Sequence, residues 1–149
     1  MRFFLLFVLL ASFITLCQAK EGDTHCHDHD DADGRECDFT TKDNFLSATR
    51  TYCETFVPTI TTPLNGERYY MKFKAPGGRV NWIASDVVFL GNIQIDNAVN
   101  NWSGKNFGYN FISYDRCMEY MPHIYDKCGG VGGKYETAWG SVSAICIKP

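Results

Sequence analysis

A chain of 149 residues with 45% hydrophobic residues and a net charge of −3 is long enough for one domain with a real core. It has none of the clustered Lys and Arg that nucleic-acid binding requires. The charge is uneven: residues 20–43 hold nine acidic and three basic groups, whereas 44–149 are close to neutral.

The first 19 residues, MRFFLLFVLLASFITLCQA, begin with a cationic Arg2, continue as an apolar run from Phe3 to Leu16 and end in a small residue at Ala19. This is the pattern of a secretory leader cut after Ala19, and the run is short for a membrane span. Secretion would leave six cysteines, Cys26, Cys37, Cys53, Cys117, Cys128 and Cys146. An even number in a small secreted domain predicts three disulfides.

Residues 20–39 form an acidic, His- and Asp-rich arm with almost nothing apolar to bury. Cys26 and Cys37 bracket it, and either pair locally or clamp it to the body. The disulfide-stabilised domain is expected over 40–149. Its first helix is expected from Thr40 to Glu54. Thr40 and Asp43 stand at capping-box spacing, and Phe45, Thr49 and Tyr52 share a face with Leu46 and Cys53 beside it. Pro58, Pro63 and Asn65-Gly66 then enforce extended chain and turns.

From Arg68 to Ala75 residues alternate, with Tyr69, Met71 and Phe73 on one side and Tyr70, Lys72 and Lys74 on the other. Pro76-Gly77-Gly78 predicts a hairpin turn into a second run at Val80 and Trp82. Asp86 to Leu90 and Ile93 to Ile95 read as strands broken by Gly91-Asn92, while Ile95, Val99 and Trp102 also fit a short helix. Asn101-Trp102-Ser103 is the one glycosylation sequon, marking Asn101 as its acceptor. Phe107, Tyr109 and Phe111 alternate again.

Cys117, Met121, Ile124 and Cys128 fall on one face of a second helix, widened by Met118 and Tyr125. Ser113 or Asp115 caps its start and Gly129 stops it. The glycine run Gly129 to Lys134 follows a helix, the wrong order for a phosphate loop, and reads as a turn. Tyr135 to Ile147 reads as a last strand with a bulge or kink at Gly140. The expectation is an α+β fold: a small sandwich with two helices on one face of a four- to five-stranded antiparallel sheet, stapled by disulfides. Cys26–Cys37, Cys53–Cys128 and Cys117–Cys146 are a pairing compatible with these elements, among the many that six cysteines allow.

Three groups of residues invite a chemical reading. His25, His27 and His29 alternate among carboxylates, so an extended arm projects them to one side. Imidazoles in that array suit weak Zn or Cu binding, although an oxidised Cys26 supplies no thiolate. His123, with Glu119 four residues away on the same helix, is the candidate general acid or base of a small ribonuclease or hydrolase. Asp115, Arg116 and Glu136 are its candidate helpers, and no GxSxG nucleophile elbow is present. Tyr69, Tyr70, Trp82, Trp102, Tyr109, Tyr135 and Trp139 are candidates for a sugar-stacking platform. Because one sheet face must lie under the helices, Tyr70 and Trp102 are the expected ligand contacts.

The leader, ATRTYCETF around Cys53, DRCMEYMPHIYDKCGG and the closing SVSAICIKP resemble fungal small secreted cysteine-rich effectors. Within these, the similarity is to the killer-toxin-like and necrosis-inducing group, over residues 40–149. The resemblance implies a disulfide-rich α/β sandwich without catalytic residues or cofactor. It would act outside the cell, as a monomer, as a toxin-like virulence factor that binds a protein or glycan. The His-rich arm departs from that pattern.

Overall fold

The computed structural model describes residues 22–28, 37–57, 68–95, 113–137 and 140–149. The leader, His29, Asn101, Trp102, Tyr109 and Trp139 lie outside them, as do the 96–112 alternatives. Eight strands and α-helices follow in order, with a single 3-10 turn, Gly129–Val131, before the fifth strand: β1 (Thr24–Cys26), β2 (Cys37–Phe39), α1 (Lys42–Thr55), β3 (Arg68–Val80), β4 (Ile83–Ile95), α2 (Tyr114–Cys128), β5 (Gly132–Thr137) and β6 (Gly140–Ile147). The strands form one antiparallel sheet in the order β1-β5-β6-β4-β3-β2. The expected α+β arrangement is present. The sheet has six strands because β1 and β2, three residues each from the acidic arm, add an edge on either side.

Both helices form where apolar residues recur at helical spacing. In α1, Phe45, Ala48, Thr49, Tyr52 and Cys53 are buried; in α2, Cys117, Tyr120, Met121 and Ile124. Ser113 caps α2 as expected by accepting from the Arg116 amide, and the helix runs through Pro122 to stop at Gly129. The cap of α1 is Thr41, which accepts from the Asn44 amide, and not Thr40. The Thr40 hydroxyl is used elsewhere: it donates to the Gly77 carbonyl at 2.8 Å, which the Asn44 side chain also reaches at 3.0 Å.

That contact explains a second correction. Pro76-Gly77-Gly78 is not a turn but a bulge within β3, where the pairing with β4 shifts between Ala75 and Gly78. Gly77 has φ +83, and the start of α1 packs so closely on it that a side chain there would strike Asn44. The hairpin turns later, at Asn81-Trp82, both with positive φ. Gly91-Asn92 does not break β4 either. Gly91 pairs with Met71 and Ala144, and its missing side chain leaves room for the Tyr52 ring (an added Cβ would lie 2.6 Å from it). Tyr135 to Ile147 is likewise a hairpin of two strands, β5 and β6, rather than one.

Alternation along β4 and β6 sends Val87, Phe89, Ile93, Val142, Ala144 and Cys146 into a single core with the buried helix residues. Phe39, Phe45 and Phe89 meet edge to face at its centre, with ring centroids 5.8 to 6.1 Å apart. The helices run antiparallel. Cys53 near the end of α1 is bonded to Cys117 near the start of α2, and Lys42 at the opposite end pairs with Asp126.

The disulfides are Cys26–Cys128, Cys37–Cys146 and Cys53–Cys117, which replaces all three expected pairs. The expected set kept the arm's cysteines together. Instead each sits in its own edge strand and is bonded to a different element, Cys26 to the end of α2 and Cys37 to β6. The bridges span 102, 109 and 64 residues. Chain-entropy arguments give loops of this size about 4–5 kcal/mol each as an upper bound.

Two predictions follow from burial. Cys26 is exposed, while Cys37, Cys146, Cys53 and Cys117 are almost inaccessible. Graded reduction with alkylation and mass spectrometry is expected to open Cys26–Cys128 first; earlier labelling of Cys53 or Cys117 would contradict this packing. Burial also pushes the Tyr52 hydroxyl far above its ordinary pKa. The native state then keeps a proton that the unfolded chain loses near pH 10, so this contribution is complete below about pH 10 and falls as pH rises further. Melting temperatures from pH 8 to 11 are expected to drop less steeply for Tyr52→Phe than for the wild type. Equal slopes would remove Tyr52 as the cause.

Candidate functional site

The residues between the inward ones on β3, β4 and β6 face away from the helices. Cross-strand register sets them in rows: Tyr70 beside Asn92 and Ser143, Lys72 beside Leu90 and Ile145, Lys74 beside Val88 and Ile147. Tyr70 is 68% exposed. The rows line an open groove of about 550 Å³ running from Tyr70 to Ile147. A second hollow of about 400 Å³ continues it past Lys74 toward Lys148 and Pro149.

The face has a definite chemical character. Leu90, Val88, Ile145 and Ile147 give it a half-buried aliphatic floor. Lys72 and Lys74 are exposed along one side and have no ion pair among the described residues. Near Tyr70, the Asn92 side-chain oxygen is buried with no hydrogen-bond partner among the described residues. The arrangement can therefore offer a ring to stack on, a groove-lining amide, and two cations.

The other candidate groups are dispersed. His123 is exposed on α2, its ring stacked on Tyr135 with centroids 4.9 Å apart and 17° between planes. Tyr135 also stacks on Tyr120. Glu119, the expected partner of His123, instead accepts from the Arg116 guanidinium at 2.6 Å; that hydrogen bond raises the Arg116 pKa. Glu136 pairs with Lys134, and strand alternation puts both on the pleat opposite Tyr135. Among the described residues no hydrogen bond or ion pair joins His123 to Glu119, Asp115, Arg116 or Glu136, although Arg116 and Glu119 meet each other.

His25 lies in β1 opposite Lys134, and the His27 amide donates to the Gly132 carbonyl. Cys26 between them is oxidised. No group of three His, Cys, Asp or Glu placed to hold a metal occurs among the described residues. Nor does one aromatic platform: Tyr70 lies on the open face, Tyr135 under α2, and Trp82 at the β3–β4 turn. Asn92 was missed in the sequence, where it read as half of a turn signal. Its register opposite Tyr70 is what gives it a role.

Comparison with family models, with curated proteins and with solved structures returns no match for this chain. No helix among the described residues is long and apolar enough to cross a membrane.

His123 is expected to act as a packing group. His123→Ala should cost about 1 kcal/mol or less, the scale of one exposed ring stack, and leave any RNA cleavage by the protein unchanged. A cleavage activity that disappears in this variant would restore His123 as a catalytic residue.

Proposed function

We propose that this is a secreted, non-enzymatic binding protein, toxin-like or effector-like in its action, that recognises an acidic glycan on a target cell through the open sheet face. The carrying observation is the exposed Tyr70 ring in one groove with the Asn92 amide and Lys72, with Lys74 in the next row. A sugar ring presents a C–H face to an aromatic side chain, hydroxyl donors around its rim and, in an acidic residue, a negative group. Each has a counterpart here: Tyr70 for the face, the groove-lining Asn92 amide for a hydroxyl, Lys72 and Lys74 for the charge. A neutral glycan would leave the lysines unused, and a wholly apolar partner the Asn92 amide as well.

Secretion is supported by the leader pattern and by three disulfides, which persist in oxidising compartments. A fold closed by long-range covalent links suits a protein that must keep its shape outside the cell. Among the described residues, no comparable convergence of groups favours the ribonuclease or metal readings.

The test is binding of the labelled protein to an array of neutral and acidic polysaccharides. Acidic glycans are expected to retain it. Tyr70→Ala and the double variant Lys72→Ala/Lys74→Ala should each weaken retention about tenfold, the scale of one lost stacking or charge contact. Added salt should weaken the wild type more than the lysine variant. Retention unaffected by both substitutions would sink the assignment to this face.

A further inference from the structure

The β3–β4 turn carries a second exposed surface, of different chemistry. Trp82 is 81% exposed and the next residue, Ile83, 70%. Val80 and Ile83 close the hairpin as a cross-strand pair, leaving Asn81 and Trp82 as a two-residue loop. Their φ values are +49° and +70°. Such loops favour Asn followed by Gly, and a bulky side chain at positive φ is an outlier. Here the outlier is also the most exposed of the large hydrophobic residues described. Strained backbone and an exposed indole at one position are a reason to look for a role.

The base beneath the loop is tied by a series of contacts. The Arg79 guanidinium lies 4.6 Å from the Trp82 ring centroid, a cation–π contact. Arg79 in turn donates two hydrogen bonds, at 2.6 and 2.8 Å, to the two oxygens of Asp38 in β2. The neighbouring Cys37 is bonded to Cys146. Disulfide, carboxylate, guanidinium and indole thus form a chain of support that presents Trp82 in one place.

We infer that this hairpin tip inserts into the interfacial region of a lipid bilayer rich in zwitterionic headgroups. The tip is convex and apolar, so it suits a soft surface that closes around it. Its one strong cation is already matched by Asp38, so no bare charge must lose its water on insertion. An indole prefers the boundary between headgroups and acyl chains, where its ring is apolar and its N–H finds a partner. Ile83 adds aliphatic area beside it. A sugar would find few free polar groups here, since Arg79 and Asp38 satisfy each other. Strongly anionic bilayers are disfavoured by the net charge of −3 and by the exposed Asp86 on the same hairpin.

The experiment uses the full secreted chain with its disulfides intact and phosphatidylcholine vesicles. Co-sedimentation of the wild type with these vesicles is expected, with a blue shift of tryptophan emission. Trp82→Phe should lose most of that shift but keep part of the partitioning. Trp82→Ser/Ile83→Ser should lower the partition coefficient at least tenfold while leaving the circular dichroism spectrum and glycan retention unchanged. Wild-type protein that stays in the supernatant overturns the inference, as does a double variant that partitions like the wild type. Binding confined to phosphatidylserine vesicles, or capture by a membrane protein but not by pure lipid, overturns it equally. Because Tyr70 lies at the other end of β3, failure here leaves the glycan reading standing, and the reverse also holds.

Discussion

The Cys37–Cys146 bond is the constraint on which the shape of the sheet depends. Its two strands are not neighbours: β4 and β3 lie between β6 and β2. In a flat sheet, three strand spacings of about 4.8 Å would hold them about 14 Å apart. The bonded cysteines have Cα atoms 5.5 Å apart. The sheet must therefore curl until its edge folds over the core. The curl is built into β3 at the Ala75–Gly78 bulge, beyond which Gly78 to Val80 carry β2 with them. Gly77 permits the bulge, and Thr40 and Asn44 hold its carbonyl. Phe39 is brought by the same fold against Phe45 and Phe89. One covalent bond, one bulge and one helix start thus support each other.

This also accounts for which parts were legible in the sequence. The helices were, because periodicity and caps are local: the buried positions of α1 and α2 recur at helical spacing, and Ser113 and Gly129 bound α2. The alternation of Tyr70, Lys72 and Lys74 against Met71 and Phe73 was legible for the same reason. What failed were inferences from glycine and proline as punctuation. Pro76-Gly77-Gly78 and Gly91-Asn92 look like turns, yet both lie inside long strands, each because a side chain from α1 occupies the space a Cβ would need. The true turn, Asn81-Trp82, lacks the glycine that usually announces one. The cysteine pairing failed because it depends on the curl, a property of the whole sheet.

The same distinction applies to the candidate site. Tyr70 could be placed on the free face from alternation alone. Asn92 could not, since its part depends on sitting between Tyr70 and Ser143 across three strands. His123 drew notice as the one histidine outside the arm, but its relation to Tyr135 is set by how α2 lies on β5. Glu119 at helical spacing was a reasonable partner for His123; Arg116, one position nearer, took it instead.

The length of β3 also keeps the two proposed surfaces apart. Tyr70 lies near the start of β3 and Trp82 just past its end. At about 3.3 Å per residue, with some shortening at the bulge, they stand roughly 35 Å apart along the strand. A single sugar residue cannot touch both. Between them β3 is paired to β4 on both sides of the bulge, which suits a strand that transmits position rather than one that rearranges. Their contributions should then combine through tethering rather than through conformational coupling. A protein held by its hairpin tip at a bilayer would present its proposed glycan-binding face to chains anchored in the same surface. It would gain affinity from local concentration alone, without any change in shape.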